Sequence, residues 1–194
     1  GARVALMMPN CLQYPVAMFG ILRIGCTVVN VNPLYTAREL EHQLSDAGCE
    51  AIVIVENFAH TLQEVMTATS SLKHVVVTGL GDMLGFPKSL LVNFVVRHVK
   101  KMVPAWSIPG SVAFREALDL GAAHPLRPVV ITHDDLAYLQ YTGGTTGVAK
   151  GAMLTHANLT ANTAQIMAWG VNLKPGEESI LGALPLFHVF AMTV

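Results

Sequence analysis

The most informative part of this chain is an eleven-residue stretch, Tyr141-Thr142-Gly143-Gly144-Thr145-Thr146-Gly147-Val148-Ala149-Lys150-Gly151. Glycine lets the backbone approach an anion closely, so that successive N–H groups can converge on its oxygen atoms. The threonine hydroxyls add hydrogen-bond donors, and Lys150 adds a positive charge. The apolar residues 136–140 predict a short strand before this stretch, and residues 155–169 predict a helix after it. The pattern therefore indicates a phosphate-binding loop that leaves a β-strand.

Two familiar phosphate-binding motifs differ from this stretch. A Walker A loop requires Gly-Lys-Ser/Thr, whereas Lys150 lies between Ala149 and Gly151. A dinucleotide-binding fingerprint requires Gly-x-Gly-x-x-Gly, and the nearest match, at residues 79–85, has its third glycine one position late. We interpret residues 79–85 as a surface turn.

Outside the loop, short apolar segments alternate with helical ones. Strands are predicted at residues 4–8, 27–31, 51–55 and 74–78. This alternation predicts parallel β-α-β units, and therefore an α/β fold in which helices flank parallel sheets. The second helix is well marked, because Thr36 is suited to its N-cap, Glu39 completes a capping box and Gly48 follows its end.

Composition bears on the class of partner and the compartment. Only 13% of the residues are charged and the formal net charge is −1, which does not favour nucleic acid as a partner. Cys11, Cys26 and Cys49 contain no Cys-x-x-Cys pair, which argues against a disulfide framework or a zinc site and favours a reducing cytoplasm. The eight histidines show no metal-ligand spacing, so we predict no metal site formed by protein side chains. No apolar run reaches the roughly 20 residues that span a bilayer.

Between residues 83 and 133 the alternation is interrupted, and one amphipathic helix is predicted over residues 89–103. Its polar side carries Ser89, Asn93, Arg97, Lys100 and Lys101, opposite Leu91, Val95, Val99 and Met102. Such a helix either packs on its own domain or contacts anionic lipid through its basic side.

The glycine-rich stretch resembles the signature of the adenylate-forming enzymes, the superfamily of acyl-CoA synthetases, luciferases and peptide-synthetase adenylation domains. It departs from the usual pattern at Gly143, which replaces a serine, and at Ala149, which replaces a proline. This variant is similar to that of bacterial long-chain fatty-acyl-CoA synthetases. Residues 4–10, 31–36 and 184–190 also resemble segments of the family, and the last contains a similar aromatic and histidine motif around His188.

This resemblance implies that residues 1–194 form an incomplete large N-terminal AMP-binding domain, with the phosphate loop at residues 141–151. The rest of that domain and the C-terminal domain are expected beyond Val194, so the chain alone is expected to be inactive. The implied activity is the ATP-dependent conversion of a long-chain fatty acid to acyl-AMP and then to acyl-CoA.

The same resemblance implies the site residues. Lys150 and His188 are expected to be catalytic, with Lys150 beside the departing pyrophosphate and His188 near the acyl and adenylate pocket. The implied ATP-binding residues are Tyr141, Thr142, Gly143, Gly144, Thr145, Thr146, Gly147, Lys150 and Gly151. Mg²⁺ is expected to bridge phosphate oxygens, ligated mainly by substrate and water. Phe187 and Phe190 either line the acyl tunnel or pack in the core.

Several alternatives remain open at this point. One is a medium-chain or aryl-CoA ligase of the same superfamily, and another is a non-catalytic phosphate-binding module or a nucleotide hydrolase. The expected partners are a fatty acid, ATP and coenzyme A. The expected location is the cytoplasm, either free or peripherally bound to the anionic inner face of the membrane.

Overall fold

The computed structural model describes residues 1–142, 149–170, 174, 176–179 and 181–193. The strands are β1 (Arg3–Met7), β2 (Thr27–Asn30), β3 (Ala51–Val55), β4 (His74–Thr78), β5 (Val112–Ala113), β6 (Leu136–Thr142) and β7 (Lys150–Thr155). The helices are α1 (Gln13–Arg23), α2 (Ala37–Ala47), α3 (Ala59–Val65), α4 (Lys88–Phe94), α5 (Phe114–Ala122), α6 (His156–Trp169) and α7 (Val189–Thr193).

One seven-stranded sheet organises these elements, in the order β5-β4-β3-β1-β2-β6-β7. Strands β1 to β6 are parallel to one another, which confirms the predicted parallel α/β architecture. Strand β7 is antiparallel to β6 and was not predicted. The sequence interpretation placed no strand between the loop and the helix predicted at residues 155–169, whereas six residues there form β7.

Both faces of the sheet are covered by helices. Side chains alternate along a strand, so Ala5 and Met7 of β1 join one buried cluster, while Leu6 and Met8 join another. The first cluster includes apolar side chains of α2 and α3, and the second includes those of α1 and α5. A parallel sheet needs this double cover, because its strands are apolar on both faces.

Local signals define where two of the helices begin. At α2, the Thr36 hydroxyl accepts from the Glu39 N–H, and the Glu39 carboxylate accepts from the Thr36 N–H at 2.8 Å. Donation to the Glu39 carboxylate from the Thr36 N–H, and then from the Thr36 hydroxyl at 2.8 Å, lowers the pKa of the Glu39 carboxyl. Thr155 and Asn158 form the corresponding pair at the start of α6. The N-cap predicted at Thr36 is therefore confirmed, and Thr155 caps the helix that was predicted over residues 155–169.

The helix predicted over residues 89–103 is shorter and rotated relative to expectation. Helix α4 continues as a π-helical turn, Val95–Val99, and its polar side faces the protein. Ser89 is buried, Asn93 donates to Asp82 at 2.8 Å, and Arg97 forms an ion pair at 2.8 Å with Glu56.

This orientation has a physical cause. Glu56 is only 4% exposed, and a buried carboxylate requires a charged partner, which Arg97 supplies. The apolar side of the helical segment consequently faces solvent, where its exposed residues are Leu90, Leu91, Phe94, Val99 and Met102. Asn93 and Arg97, on the basic side, are engaged within the domain, and the predicted lipid contact stays a prediction.

Candidate functional site

The two ends of the glycine-rich loop lie side by side in the sheet. Thr142 ends β6, and Lys150 begins β7 directly opposite it. Both side chains are exposed, and within the part of the chain that the structure describes no ion pair involves Lys150. The ammonium group therefore stands at the base of the loop with its charge uncompensated by a protein carboxylate.

The middle of the loop lies outside the described residues. The phosphate contacts expected there stay predictions for Gly143, Gly144, Thr145, Thr146 and Gly147.

Tyr141 and Gly151 pair across β6 and β7 and are held against the protein interior. The Tyr141 hydroxyl donates to the Asp46 carboxylate at 2.5 Å, and only 8% of the residue is exposed. Burial, together with the Asp46 carboxylate, raises the pKa of the Tyr141 phenol. A Cβ atom at Gly151 would lie 3.0 Å from the Tyr141 ring, so the glycine permits this close packing. Their contact with ATP stays a prediction.

His188 lies in an exposed turn that precedes α7. Its backbone N–H donates to the Pro185 carbonyl at 2.9 Å, and Nδ1 of its ring accepts from the Phe190 backbone N–H at 3.3 Å. In a neutral imidazole, an accepting Nδ1 assigns the proton to Nε2. Nε2–H is then the hydrogen-bond donor of the ring, and its contact with a substrate stays a prediction.

The two aromatic residues beside His188 occupy different surroundings. Phe187 is half-buried against the core cluster that contains Leu6 and Tyr138. Phe190 is exposed and borders a groove of about 270 Å³ between α6 and α7, which Leu154, Leu159 and Val189 also line. Core packing therefore accounts for Phe187, and an acyl-contacting role stays a prediction for Phe190.

Two carboxamide side chains that the sequence interpretation did not assign hold the segment leading to His188. Asn10 Nδ2 donates to the carbonyl oxygens of Gly182 at 2.9 Å and Leu184 at 2.8 Å. Asn10 Oδ1 accepts from the Leu186 N–H at 2.8 Å. Gln140 Nε2 donates to the Phe187 carbonyl at 3.1 Å. The one local sequence signal for these contacts was the polar Gln140 inside a strand that is otherwise largely apolar.

The glycine-rich turn at residues 79–85 is closed by its own side chains. The Gly79 N–H donates to the Asp82 carboxylate at 2.7 Å, and the Gly81 N–H donates to Asn93 Oδ1 at 2.8 Å. The amide groups that a phosphate would use are therefore engaged, and a carboxylate lies where the anion would bind. This geometry agrees with the interpretation of residues 79–85 as a turn.

Other kinds of site were searched over the same described ranges. There, no group of three or more histidine, cysteine or acidic side chains is placed to hold a metal ion. The cysteines Cys11, Cys26 and Cys49 are all free. Of the helices in those ranges, none has the combined length and hydropathy of a membrane-spanning segment.

Comparison with known proteins gives a consistent set of relatives. A profile of the family described as AMP-binding enzyme matches residues 1–194. The long-chain-fatty-acid–CoA ligases of Escherichia coli O157:H7 and Salmonella typhimurium are each 58% identical to the chain, over 100% of it and 35% of their own length. The ligase of the same name from Bacillus subtilis is 38% identical, over 100% of the chain and 34% of its own length. The chain thus spans about a third of the length of the curated relatives it matches.

Solved structures show the same architecture. A long-chain-fatty-acid-CoA ligase from Archaeoglobus fulgidus has a TM-score of 0.69 and 27% identity, covering 100% of this chain and 32% of that one. A red-emitting luciferase from Phrixothrix hirtus has a TM-score of 0.73 at 20% identity, covering 99% and 33%, which shows a shared fold. These likenesses confirm the predicted fold class.

Proposed function

The chain belongs to the AMP-binding enzyme family, and on that basis we propose that the whole protein is an AMP-forming long-chain fatty-acid–CoA ligase. The observation that supports this best is the 58% identity to ligases of that name over the full length of the chain. The pairing of Thr142 with Lys150 at the base of the loop agrees with it, because it puts a hydroxyl and a cation together where phosphate would bind.

The proposed reaction has two steps. A fatty-acid carboxylate attacks the α-phosphate of ATP, which forms acyl-AMP and releases pyrophosphate. The thiol of coenzyme A then attacks the acyl carbonyl, loses its proton and releases AMP, which leaves acyl-CoA. The first step develops charge on phosphate oxygens, so positioning and charge neutralisation supply most of the catalysis.

Each described site residue takes one role in this proposal. Lys150 neutralises the departing pyrophosphate, and the Thr142 hydroxyl donates to a phosphate oxygen. His188 donates from Nε2 to an oxygen of the acyl or adenylate group. Mg²⁺ fits as a substrate-borne ion, held by ATP oxygens and water, and it would neutralise phosphate charge.

Pyrophosphate exchange in the full-length protein tests this function. A ligase transfers labelled pyrophosphate into ATP only when a carboxylic acid is supplied, because exchange requires reversal of acyl-AMP formation. We expect exchange with long-chain acids to exceed exchange with medium-chain and aromatic acids. Acid-independent phosphate release would instead identify a nucleotide hydrolase, and ATP binding without either reaction would identify a non-catalytic module.

We also propose a peripheral contact with the anionic inner face of the membrane, as part of a cytoplasmic enzyme. The contact surface is the exposed apolar side of α4, formed by Leu90, Leu91 and Phe94, together with the exposed Phe86 that precedes the helix. The exposed lysines Lys88, Lys100 and Lys101 flank it. No acidic residue occurs between Asp82 and Glu116, so this surface suits anionic lipid, and each cation near it contributes up to about 1 kcal/mol.

Vesicle co-sedimentation of the full-length protein tests this contact. Leu90→Ser with Phe94→Ser should abolish binding to anionic vesicles, whereas Lys100→Glu with Lys101→Glu should weaken it most at low salt. Arg97 is left unchanged, because it neutralises Glu56. The matched control is Leu120→Ser, which removes an exposed leucine from α5. Undiminished sedimentation of the Leu90 and Phe94 double variant would rule out this surface.

A further inference from the structure

We infer that Asn10 and Gln140 are positioning residues that hold the His188 segment against the strand leading into the phosphate loop. The inference rests on the proposed function, because it concerns the placement of His188 for acyl-AMP formation. Neither residue is assigned contact with substrate. Each acts on the backbone that carries His188.

Asn10 uses both ends of its carboxamide on one short segment. Its amide nitrogen donates to the Gly182 and Leu184 carbonyls, and its amide oxygen accepts from the Leu186 N–H. Leu184 is half exposed, and this stretch pairs with no strand of the sheet, so the side chain supplies the partners that a strand would otherwise provide. Asn10 lies three residues after the end of β1, and Met8, between β1 and Asn10, is fully buried. The segment is thereby anchored to the sheet.

Gln140 is oriented by a buried chain of hydrogen bonds. Its Oε1 accepts from Asn30 Nδ2 at 2.9 Å, and Asn30 Oδ1 accepts from the Tyr14 hydroxyl at 2.6 Å. Tyr14, Asn30 and Gln140 are all at least 92% buried, at 1%, 3% and 8% exposed. With its oxygen engaged, the Gln140 amide nitrogen is directed to the Phe187 carbonyl at 3.1 Å. Polar groups satisfied in this way inside a protein favour one arrangement.

The two contacts bracket the motif that carries His188. Asn10 holds the backbone at Leu186 and before it, and Gln140 holds it at Phe187. Gln140 is also the residue before Tyr141 on β6, so one strand both leads to the phosphate loop and restrains the His188 segment. A displacement of about 1 Å at a reacting group can cost about 10²-fold in rate. The relative position of Lys150 and His188 therefore depends on these carboxamides.

The test uses the full-length enzyme and carboxylate-dependent pyrophosphate exchange. Asn10→Ala and Gln140→Met should each lower kcat by about 10- to 100-fold, while KM for ATP changes by less than about 3-fold. Asn10→Asp should be slower than Asn10→Ala, because a carboxylate oxygen would face the Gly182 and Leu184 carbonyls. Equal rates for Asn10→Asp and the wild type would overturn the inference.

A double-mutant cycle separates positioning from general damage. Because Asn10 acts through His188, Asn10→Ala should slow His188→Ala by no more than about 2-fold further. If the fold-losses in rate of Asn10→Ala and His188→Ala multiply in the double variant, Asn10 acts independently of His188, and the inference is overturned. The same cycle with Gln140→Met provides the answer if the Asn10 variants do not fold.

The matched control is Gln63→Ala. Gln63 lies on α3, which packs on the other face of the sheet from Phe187, and its Oε1 accepts from the Ser107 N–H at 2.7 Å. This variant loses a comparable long-range hydrogen bond and should keep the wild-type kcat. An equal loss of kcat in Gln63→Ala would attribute the effect to destabilisation and overturn the inference. Absence of exchange in the wild type would contradict the proposed function itself, whereas exchange unaffected by Asn10→Ala contradicts only the positioning role.

Discussion

Two glycine-rich turns follow parallel strands of the same sheet, and they differ in what surrounds their amide groups. The turn after β4, at residues 79–85, contains Asp82, whose carboxylate accepts from the Gly79 N–H. The loop after β6, at residues 141–151, contains no acidic residue, and its described ends present an exposed Thr142 and an exposed Lys150.

The comparison of these two segments indicates that glycine content alone does not predict an anion site. After β4, the groups that lie close to the glycines are side chains of the protein. A Cβ atom at Gly79 would lie 2.9 Å from Asn93 Oδ1, so the glycine accommodates α4. After β6 the charge balance favours a phosphate, because among the residues that the structure describes no carboxylate forms an ion pair with Lys150.

The largest expected effect is at Lys150. In the full-length protein, Lys150→Ala should lower carboxylate-dependent pyrophosphate exchange by about 10²-fold, since one charged contact to the reacting phosphates is lost. The matched control is Lys88→Ala, which removes an exposed lysine just after the other turn and should leave exchange unchanged. Equal exchange in Lys150→Ala and the wild type would remove Lys150 from the site.

A smaller effect, on stability, is expected at Gly81. Its Cβ atom would lie 2.8 Å from both Asn93 Oδ1 and the Ser89 carbonyl, so Gly81→Ala should lower the free energy of unfolding by about 1–3 kcal/mol. Thermal or denaturant unfolding measures this loss. Gly121→Ala is the control, because nothing lies within 4 Å of its added Cβ and alanine favours helix α5. A neutral Gly81→Ala would contradict the close packing of the turn on α4.

The smallest effect is expected at Tyr141. Tyr141→Phe removes the hydrogen bond to Asp46 and should cost about 1 kcal/mol of unfolding free energy, with KM for ATP unchanged if the predicted ATP contact of Tyr141 uses its backbone. The pKa of this phenol is raised in the folded protein, so its contribution is fully present below the unfolded pKa, about 10, and is lost as pH rises above it. Unfolding measured from pH 7 to 11 should therefore show the two proteins converging at alkaline pH. A raised KM for ATP in Tyr141→Phe would instead indicate a phosphate contact by the hydroxyl.

Much of the fold was predictable because its signals are local. Alternating apolar strands and helices predicted the parallel sheet, and Thr36 with Glu39 predicted the start of α2 from residues three positions apart. Strand β7 was missed because its partner is β6, and the pairing of Lys150 with Thr142 has no signature in residues 150–155 themselves. The short β5 and helix α5 were missed because they lie where the alternation is interrupted.

The residues of the candidate site also differ in whether the local sequence signals them. Lys150 and His188 were predicted from short motifs, because the residue types and their neighbours carry the resemblance. Asn10 was not assigned, because its three partners lie 172 to 176 residues away and an asparagine after a strand is common in turns.

The sequence alone indicated the family through the motif resemblance at residues 141–151, the α/β class through the alternation of apolar and helical segments, and the start of α2 through its capping residues. Tertiary structure alone decided which side of α4 faces solvent, which glycine-rich turn is closed by its own side chains, and what holds the His188 segment. The physical reason is that buried polar groups must find partners wherever the chain brings them. Glu56 forms an ion pair with Arg97. The Gly79 and Gly81 N–H groups donate to the Asp82 and Asn93 side chains, and the Gln140 amide nitrogen donates to the Phe187 carbonyl.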